Sequence, residues 1–467
     1  MTCEVKRMAT AKLTLTLCVI LFTCTHAKIG YFWHITDFHY DPQYTPQGDT
    51  RRQCRRADER GSSGHHRALG RLGDYSCDAP LALVESAARY MRTRHADNVE
   101  FVLWTGDIVS SQYNEDEKYQ AIRNMTELLR GTFSSHFVFP VLGDTDPAPS
   151  ERLTSLWMKW LPLEALQTFQ NGGYYTIEQT QSKLRIVVLN TNLFGARESS
   201  SAPAQKQWEW LDEVLEKATS NREMVYIVGH AAPGFAPRTA QVSYSADANA
   251  QYLRTVRKHA RIIAGQFFGH LHADTFRVFY DNDRPVSWAL LAPSVSPHRS
   301  PSGSSNPGLR LYKFDINSGK VLDYTQYYME LAGANRAVGA VGSVGADWAP
   351  AYNLTQHYGL PDVSAYSLHG LADKLRFGMP HETLTFNKYL RAYSVKYEST
   401  EACDGACAHQ HFCAITCLEH AAYRQCVEAA ASALAAASNH APLVAPPVTM
   451  IVTLLTFIPK AVAVTSL

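Results

Sequence analysis

The sequence predicts a layered α/β domain followed by a small helical module tied by cysteines. Three observations carry this expectation. Short apolar, β-rich runs recur between helical stretches. Acidic and histidine residues gather just past the ends of those runs, where an open α/β sheet collects its functional groups. Five cysteines, Cys403, Cys407, Cys413, Cys417 and Cys426, crowd one late segment.

At the N-terminus, Lys6 and Arg7 precede an apolar run over 13–24, and Thr25-His26-Ala27 suits a signal peptidase. A signal peptide over residues 1–27 is expected, placing the protein in a secreted, extracellular or lysosomal compartment. Cys3, Cys18 and Cys24 leave with it, so seven of the ten cysteines remain. With Cys54 and Cys77 bracketing a polar loop, the clustering after such a leader reads as disulfide stapling, a zinc knot being the rival, and spacing alone does not fix the connectivity. Asn124-Met-Thr and Asn353-Leu-Thr are glycosylation acceptor sequences suited to that compartment.

The main domain is expected over 28–348. Strands are predicted at 29–35, 99–104, 137–142, 184–189, 224–228 and 262–268. The runs at 275–280, 287–292 and 309–314 follow without long helical inserts and read as antiparallel closing strands. Residues 50–76, rich in Arg and Gly, and 332–346, an Ala/Gly/Val stretch, read as loops. From about residue 349 the pattern turns helical, at 363–376, 381–393 and 418–437, giving a C-terminal module over 349–437. The remaining 438–467 is apolar and broken by prolines. It is too short between them to span a bilayer, and its small residues, spacer and apolar end resemble a glycosylphosphatidylinositol (GPI) anchor signal, with a disordered tail as the alternative. A formal net charge of +1 supplies no global field for nucleic acid, and no nucleic-acid-binding module is expected. Any anion binding must be local.

Five loops carry the chemistry: Asp37-Phe38-His39, Gly106-Asp107, Gly143-Asp144-Thr145-Asp146, Gly229-His230 and Gly269-His270-Leu271-His272. Two divalent ions about 3.5–4 Å apart need a bridging carboxylate and several N or O ligands. Carboxylate and neutral imidazole suit Zn²⁺, Mn²⁺ or Fe²⁺ rather than Ca²⁺. One such motif is usually a turn or a core histidine; five in this order, each after a strand, point to a two-metal site of Asp37, His39, Asp107, Asp144, His230, His270 and His272.

This order of motifs resembles the calcineurin-like metallophosphoesterases. The blocks HITDFHYDPQY, LWTGDI, VFPVLGDTD, GQFFGHLHADTFRVFYD and NPGLRLYKFD, with the final cysteine cluster, resemble the acid sphingomyelinase-like phosphodiesterases from about Lys28 to Val427. The resemblance implies an α/β/β/α sandwich and two divalent ions, most often zinc. Asp37, His39, Asp107 and His272 would hold one ion, and Asp107, Asp144, His230 and His270 the other. It implies disulfides Cys54–Cys77, Cys403–Cys407 and Cys413–Cys426, with Cys417 free. It also implies hydrolysis of phosphodiester or phosphoanhydride bonds, in nucleotides or phospholipid headgroups, by a metal-bridging hydroxide. Family relatives that degrade lipid carry an N-terminal saposin-like module, which is not expected here because the first strand follows the leader closely.

Two positions depart from the family pattern. Its G-N-H-D element reads Gly143-Asp144-Thr145-Asp146, so Asp144 replaces a metal-binding Asn and Thr145 a phosphate-contacting His. A second family histidine, four residues past the bridging Asp, is Ser111. Thr145 and Ser111 thus occupy the catalytic histidine positions, and threonine carries no positive charge. Reduced activity follows as the expectation. The alternative is a catalytically impaired surface protein that binds a phosphate ligand or modulates membrane signalling. His298 is a candidate substitute, read by default as a loop histidine. Arg51, Arg52, Arg55 and Arg56 read as a solvated charge run that can also steer substrate. Tyr44, Tyr113 and Trp348 are candidates for lining a base or headgroup pocket, and packing is the ordinary role of such aromatics.

Overall fold

Side-chain alternation along the first strand sets the architecture. In the computed structural model, which describes residues 28–56, 68–94, 99–179, 183–298, 303–338, 348–376, 380–398 and 403–439, strand β1 (Ile29–Ile35) is buried on both faces. Phe32 and His34 face a second sheet: Phe32 meets the rings of Tyr226 and Phe267 at 5.7 and 5.4 Å, and His34 meets Phe267. Trp33 faces the opposite way, toward Tyr327, which in turn meets Tyr90 of the helix Leu81–Thr93. A strand covered on both sides requires a layer on each.

Among the described residues, two six-stranded sheets supply those layers. The first runs β12 (Ala349–Asn353), β11 (Val321–Tyr328), β10 (Gly308–Asp315), β1, β2 (Val99–Trp104), β3 (Phe137–Pro140). The second runs β4 (Tyr175–Gln179), β5 (Leu184–Val188), β6 (Met224–Val228), β7 (Ile263–Phe268), β9 (Arg284–Leu291), β8 (Thr275–Asp281). Helices Ala202–Asn221 and Ala246–His259 cover the outer face of the second sheet through Leu211, Leu215, Tyr252 and Val256. Leu81–Thr93 and Glu115–Thr132 cover the first through Leu83, Val84, Ile122 and Met125. The result is the α/β/β/α sandwich. Strands β1, β2 and β3 are parallel neighbours, as are β6 and β7, so their C-terminal ends open on one edge.

Several elements differ from the sequence reading. β4, β11 and β12 were not expected. β12 begins Ala349-Pro350, and proline cannot donate to a ladder, but β12 is an edge strand paired only with β11, where that is tolerated. The sheet therefore extends past residue 348, and helix begins at Leu354. The stretch expected as a loop from 332 is helical over Leu331–Val338: its alanines favour helix, and Leu331 anchors it in the core. Of the closing strands, β9 lies antiparallel to β8 but parallel to β7. Helix Gly405–Thr416 was also missed, although Asp404 caps it by accepting from the Cys407 amide.

The C-terminal helices pack on the second sheet. Tyr389 Oη meets Thr275 Oγ1 at 2.9 Å, and Asn249 Nδ2 donates to the Leu418 carbonyl. Disulfides join Cys54 to Cys77, Cys403 to Cys407 and Cys413 to Cys426, and Cys417 is free. Asn124 lies half-buried within helix Glu115–Thr132, and Asn353 donates to Thr325 Oγ1 at the end of β12. The expected signal peptide, and the expected tail beyond residue 439, lie outside the described residues. Among the described residues no helix is long and apolar enough to cross a membrane.

Candidate metal centre

Each ligand loop leaves a strand end and is stitched to its neighbours by backbone hydrogen bonds. Asp37 N donates to Gly106 O and His39 N to Asp107 O, joining the loops after β1 and β2. Gly269 N donates to His230 O, joining those after β6 and β7. Glycine is required where these loops touch. A Cβ on Gly143 would lie 2.2 Å from the Asp107 amide nitrogen, and one on Gly106 would lie 2.5 Å from that of Gly143. The ligand residues Asp37, His39, Asp107, His270 and His272 themselves hold left-handed backbone, with φ between 42° and 67°.

Two four-residue clusters result, and Asp107 belongs to both. In the first, His39 Nε2 lies 3.0 Å from His272 Nε2, 3.3 Å from Asp107 Oδ2 and 3.9 Å from Asp37 Oδ1. In the second, His230 Nε2 lies 3.4 Å from Asp107 Oδ2, 3.1 Å from Asp144 Oδ1 and 3.1 Å from His270 Nδ1. Oδ2 of Asp107 is thus the atom shared between the halves.

These donors fit divalent cations. Ligands about 2.0–2.2 Å from a tetrahedral ion lie roughly 3.4 Å from one another, the spacing seen in both clusters. Asp37 Oδ1 is buried with no hydrogen-bond donor, while its Oδ2 accepts from Thr36 Oγ1 and the His270 amide. An orphaned buried carboxylate oxygen beside two imidazole nitrogens calls for a cation. One imidazole is also oriented from behind: His230 Nδ1 lies 2.7 Å from the Thr105 carbonyl, which accepts its proton and turns Nε2 toward the cluster.

Electrostatics agree with that reading. Burial opposes ionisation of Asp107, but the His230 and His39 imidazoles overcome it and hold the carboxyl well below its ordinary range. Burial likewise disfavours charge on His39, yet its hydrogen bond to Asp107 and the charges of Asp107, Asp78 and Asp37 lift it to about 9. His39 therefore stabilises the cation-stripped protein at pH below its unfolded value of about 6.5. That contribution is lost as pH rises through about 9. A cation must displace this proton, so apparent affinity is expected to tighten by about tenfold per pH unit for each proton displaced. Competition with a chromophoric chelator between pH 6 and 9 checks this; a flat profile would exclude it.

The calcineurin-like phosphoesterase model matches residues 30–274, and the acid sphingomyelin phosphodiesterase C-terminal region matches 284–433. Acid sphingomyelinase-like phosphodiesterase 3b of Homo sapiens is 36% identical over 430 residues, covering 86% of this chain and 91% of that protein. The chain belongs to the acid sphingomyelinase-like phosphodiesterase family. Cyclic GMP-AMP phosphodiesterase SMPDL3A of Homo sapiens is 33% identical, covering 86% of this chain and 90% of that protein. Sphingomyelin phosphodiesterase of Bos taurus is 31% identical, covering 81% and 63%. The metallophosphoesterase fold implies divalent metals, and the paired clusters are where this family member would hold them.

The departures from the family pattern have distinct structural outcomes. Asp144 reaches both His230 and His270, though its side chain is 58% exposed. Thr145 does not face outward as a substrate donor: its amide lies 2.9 Å and its hydroxyl 3.0 Å from Asp107 Oδ1, and the hydroxyl also lies 2.9 Å from the Val109 carbonyl. It steadies the shared carboxylate. Ser111 is exposed, its hydroxyl meeting only Gln112 among the described residues. Asp146 accepts from the Ile108 and Gly143 amides and clamps the loops after β2 and β3; burial, then the charge of Asp107, raises its carboxyl to about 7.

Of the four arginines in the 51–56 run, only Arg55 turns inward, pairing with buried Asp41 at 2.9 Å and stacking on Tyr113, whereas Arg51, Arg52 and Arg56 are exposed. Tyr113 donates to Asp41, Tyr44 donates to the Gly70 carbonyl, and Trp348 is buried with its indole N–H on Ser86, so all three serve packing. Asp78 was overlooked. It follows Cys77, is buried, and bonds His298 Nδ1 at 2.8 Å, while the His298 carbonyl lies 3.4 Å from His272 Nδ1. His298 is therefore no free loop histidine. No local pattern announces a pair 220 residues apart.

Proposed function

We propose that this chain is a zinc-dependent phosphodiesterase that hydrolyses small phosphodiester or phosphoanhydride substrates, of nucleotide or phospholipid-headgroup type, with slowed turnover. The observation that carries the reading is Asp107 Oδ2, set 3.3 Å from His39 Nε2 and 3.4 Å from His230 Nε2 as the shared member of two clusters. The imidazole and carboxylate donor set is one that zinc favours. Bound divalent ions supply Lewis acidity toward phosphoryl oxygens and lower the pKa of water. The chain's part is positional. Thr145 fixes the shared Asp107 carboxylate, the Thr105 carbonyl fixes the tautomer of His230, and Asp37 is held by Thr36 and the His270 amide.

Slowed turnover follows from two features. The Asp144 carboxylate adds negative charge where phosphate must approach, and neither Thr145 nor Ser111 presents an imidazole. Secretion or residence in a lumen accords with three disulfides among the described residues.

The test is hydrolysis of bis-p-nitrophenyl phosphate, a cyclic dinucleotide and sphingomyelin by zinc-loaded protein from acid to neutral pH. Measurable turnover of at least one substrate is expected. Thr145→His gives up the hydroxyl bonds to Asp107 and Val109 but keeps the amide bond to Asp107, and the net effect should be a rise in kcat of up to about 10²-fold, the lower range for a positioned general acid. Absence of turnover across the panel would favour the binding-only alternative, and an unchanged Thr145→His rate would remove the explanation for slowness.

A further inference from the structure

The loop after β9 runs beside the metal loops rather than away from them. Val295 N donates to Thr36 O and Ser296 N donates to Asp37 O at 3.0 Å. Two residues later, the His298 carbonyl lies against the ring of His272, and the His298 amide lies 3.3 Å from Ser296 Oγ. The backbone of His298 is thus anchored at the edge of the first cluster.

Its side chain is anchored too. Nδ1 lies 2.8 Å from Asp78 Oδ1, and Asp78 is 4% exposed. Asp78 is placed by covalent and backbone restraints: Cys77 is bonded to Cys54, and Ala79 N donates to His39 O while Asp41 N donates to Ala79 O. The His298 ring keeps 29% of its surface exposed, and among the described residues Nε2 has no protein partner. A carboxylate-held imidazole at the rim of a cation centre, with one nitrogen open to solvent, has the form of a ligand contact.

We infer that His298 contacts the phosphoryl group of the substrate through Nε2, with Asp78 as its positioning residue. This contact replaces those that Ser111 and Thr145 do not make, and it rests on the phosphodiesterase reading above. An imidazole carrying both protons donates from both nitrogens, one to Asp78 and one to a phosphoryl oxygen. Asp78 fixes the orientation of the ring through Nδ1, 2.8 Å from its Oδ1. The neighbouring charged and titratable groups are Asp78 and His272, with His39 within electrostatic reach of Asp78.

The experiment uses zinc-loaded full-length protein with two readouts: hydrolysis of bis-p-nitrophenyl phosphate, and calorimetric binding of inorganic phosphate. His298→Ala is expected to lower kcat/KM and weaken phosphate binding, each by about 10- to 100-fold, the range for one charge-assisted hydrogen bond. Two metals per chain should be retained. His298→Gln, which keeps a donor, should recover part of the loss, and Asp78→Asn should fall between parent and His298→Ala. Parent-like phosphate binding and hydrolysis in His298→Ala overturn the inference while leaving the phosphodiesterase reading intact. A parent that binds phosphate but turns over nothing, with binding lost in His298→Ala, supports the contact and overturns that reading. A metal-loaded parent that binds no phosphate overturns the inference.

Discussion

Asp107→Ala is expected to drop the metal content below two per chain and to cut phosphodiester turnover by roughly 10³-fold or more. The magnitude follows from the several kcal/mol of charge stabilisation that a two-ion site supplies, at about 1.4 kcal/mol per tenfold in rate. No other side chain among the described residues belongs to both clusters. Its loss leaves His39 and His230 each without the carboxylate 3.3 and 3.4 Å away, and leaves the Thr145 amide without its acceptor. Asp107→Asn keeps the shape but not the charge and should lie between. Elemental analysis beside initial rates decides the matter, and a variant retaining two ions would remove Asp107 from the bridging role.

Asp274→Ala should destabilise the fold by about 3–5 kcal/mol, the cost of stranding a buried partner of opposite charge. Arg310 is wholly buried on β10 and its Nη2 lies 2.5 Å from Asp274 Oδ1, two residues beyond His272. Tyr324 of β11 and Tyr352 of β12 both donate to the same carboxylate, and the Asp274 amide donates to the Tyr393 carbonyl of the C-terminal helices. One side chain thus ties both sheets to the helical module. Urea unfolding should show the shift. A change under 1 kcal/mol would mean that the cluster relaxes without Asp274, whereas replacing both charges by apolar residues of similar volume should be much milder.

What was legible in the sequence was whatever depends on neighbours along the chain. Asp37, His39, Asp107, His230, His270 and His272 announced themselves because each follows an apolar β run by two to four residues. What a side chain does after arrival was not legible. Thr145 read as a weakened phosphate contact, and its hydroxyl instead meets Asp107 and Val109, a choice set by tertiary position. Asp78 and His298 meet only because a disulfide loop and the loop after β9 fold against the same metal loop. β12 stayed hidden because Pro350 argues against a strand unless an edge is available.

The left-handed backbone at Asp37, His39, Asp107, His270 and His272 carries a thermodynamic consequence for the whole chain. Each non-glycine residue in that region costs about 1–2 kcal/mol, so the five together approach the entire stability of an ordinary domain, on the order of 5–15 kcal/mol. The sheets and the loop-to-loop hydrogen bonds help to hold this arrangement. A divalent ion that binds only this arrangement stabilises the native state by mass action, so here the cofactor is also a folding ligand. When it is withdrawn, the segments with most to gain by relaxing are the ligand loops themselves, and local opening should begin there while both sheets remain closed.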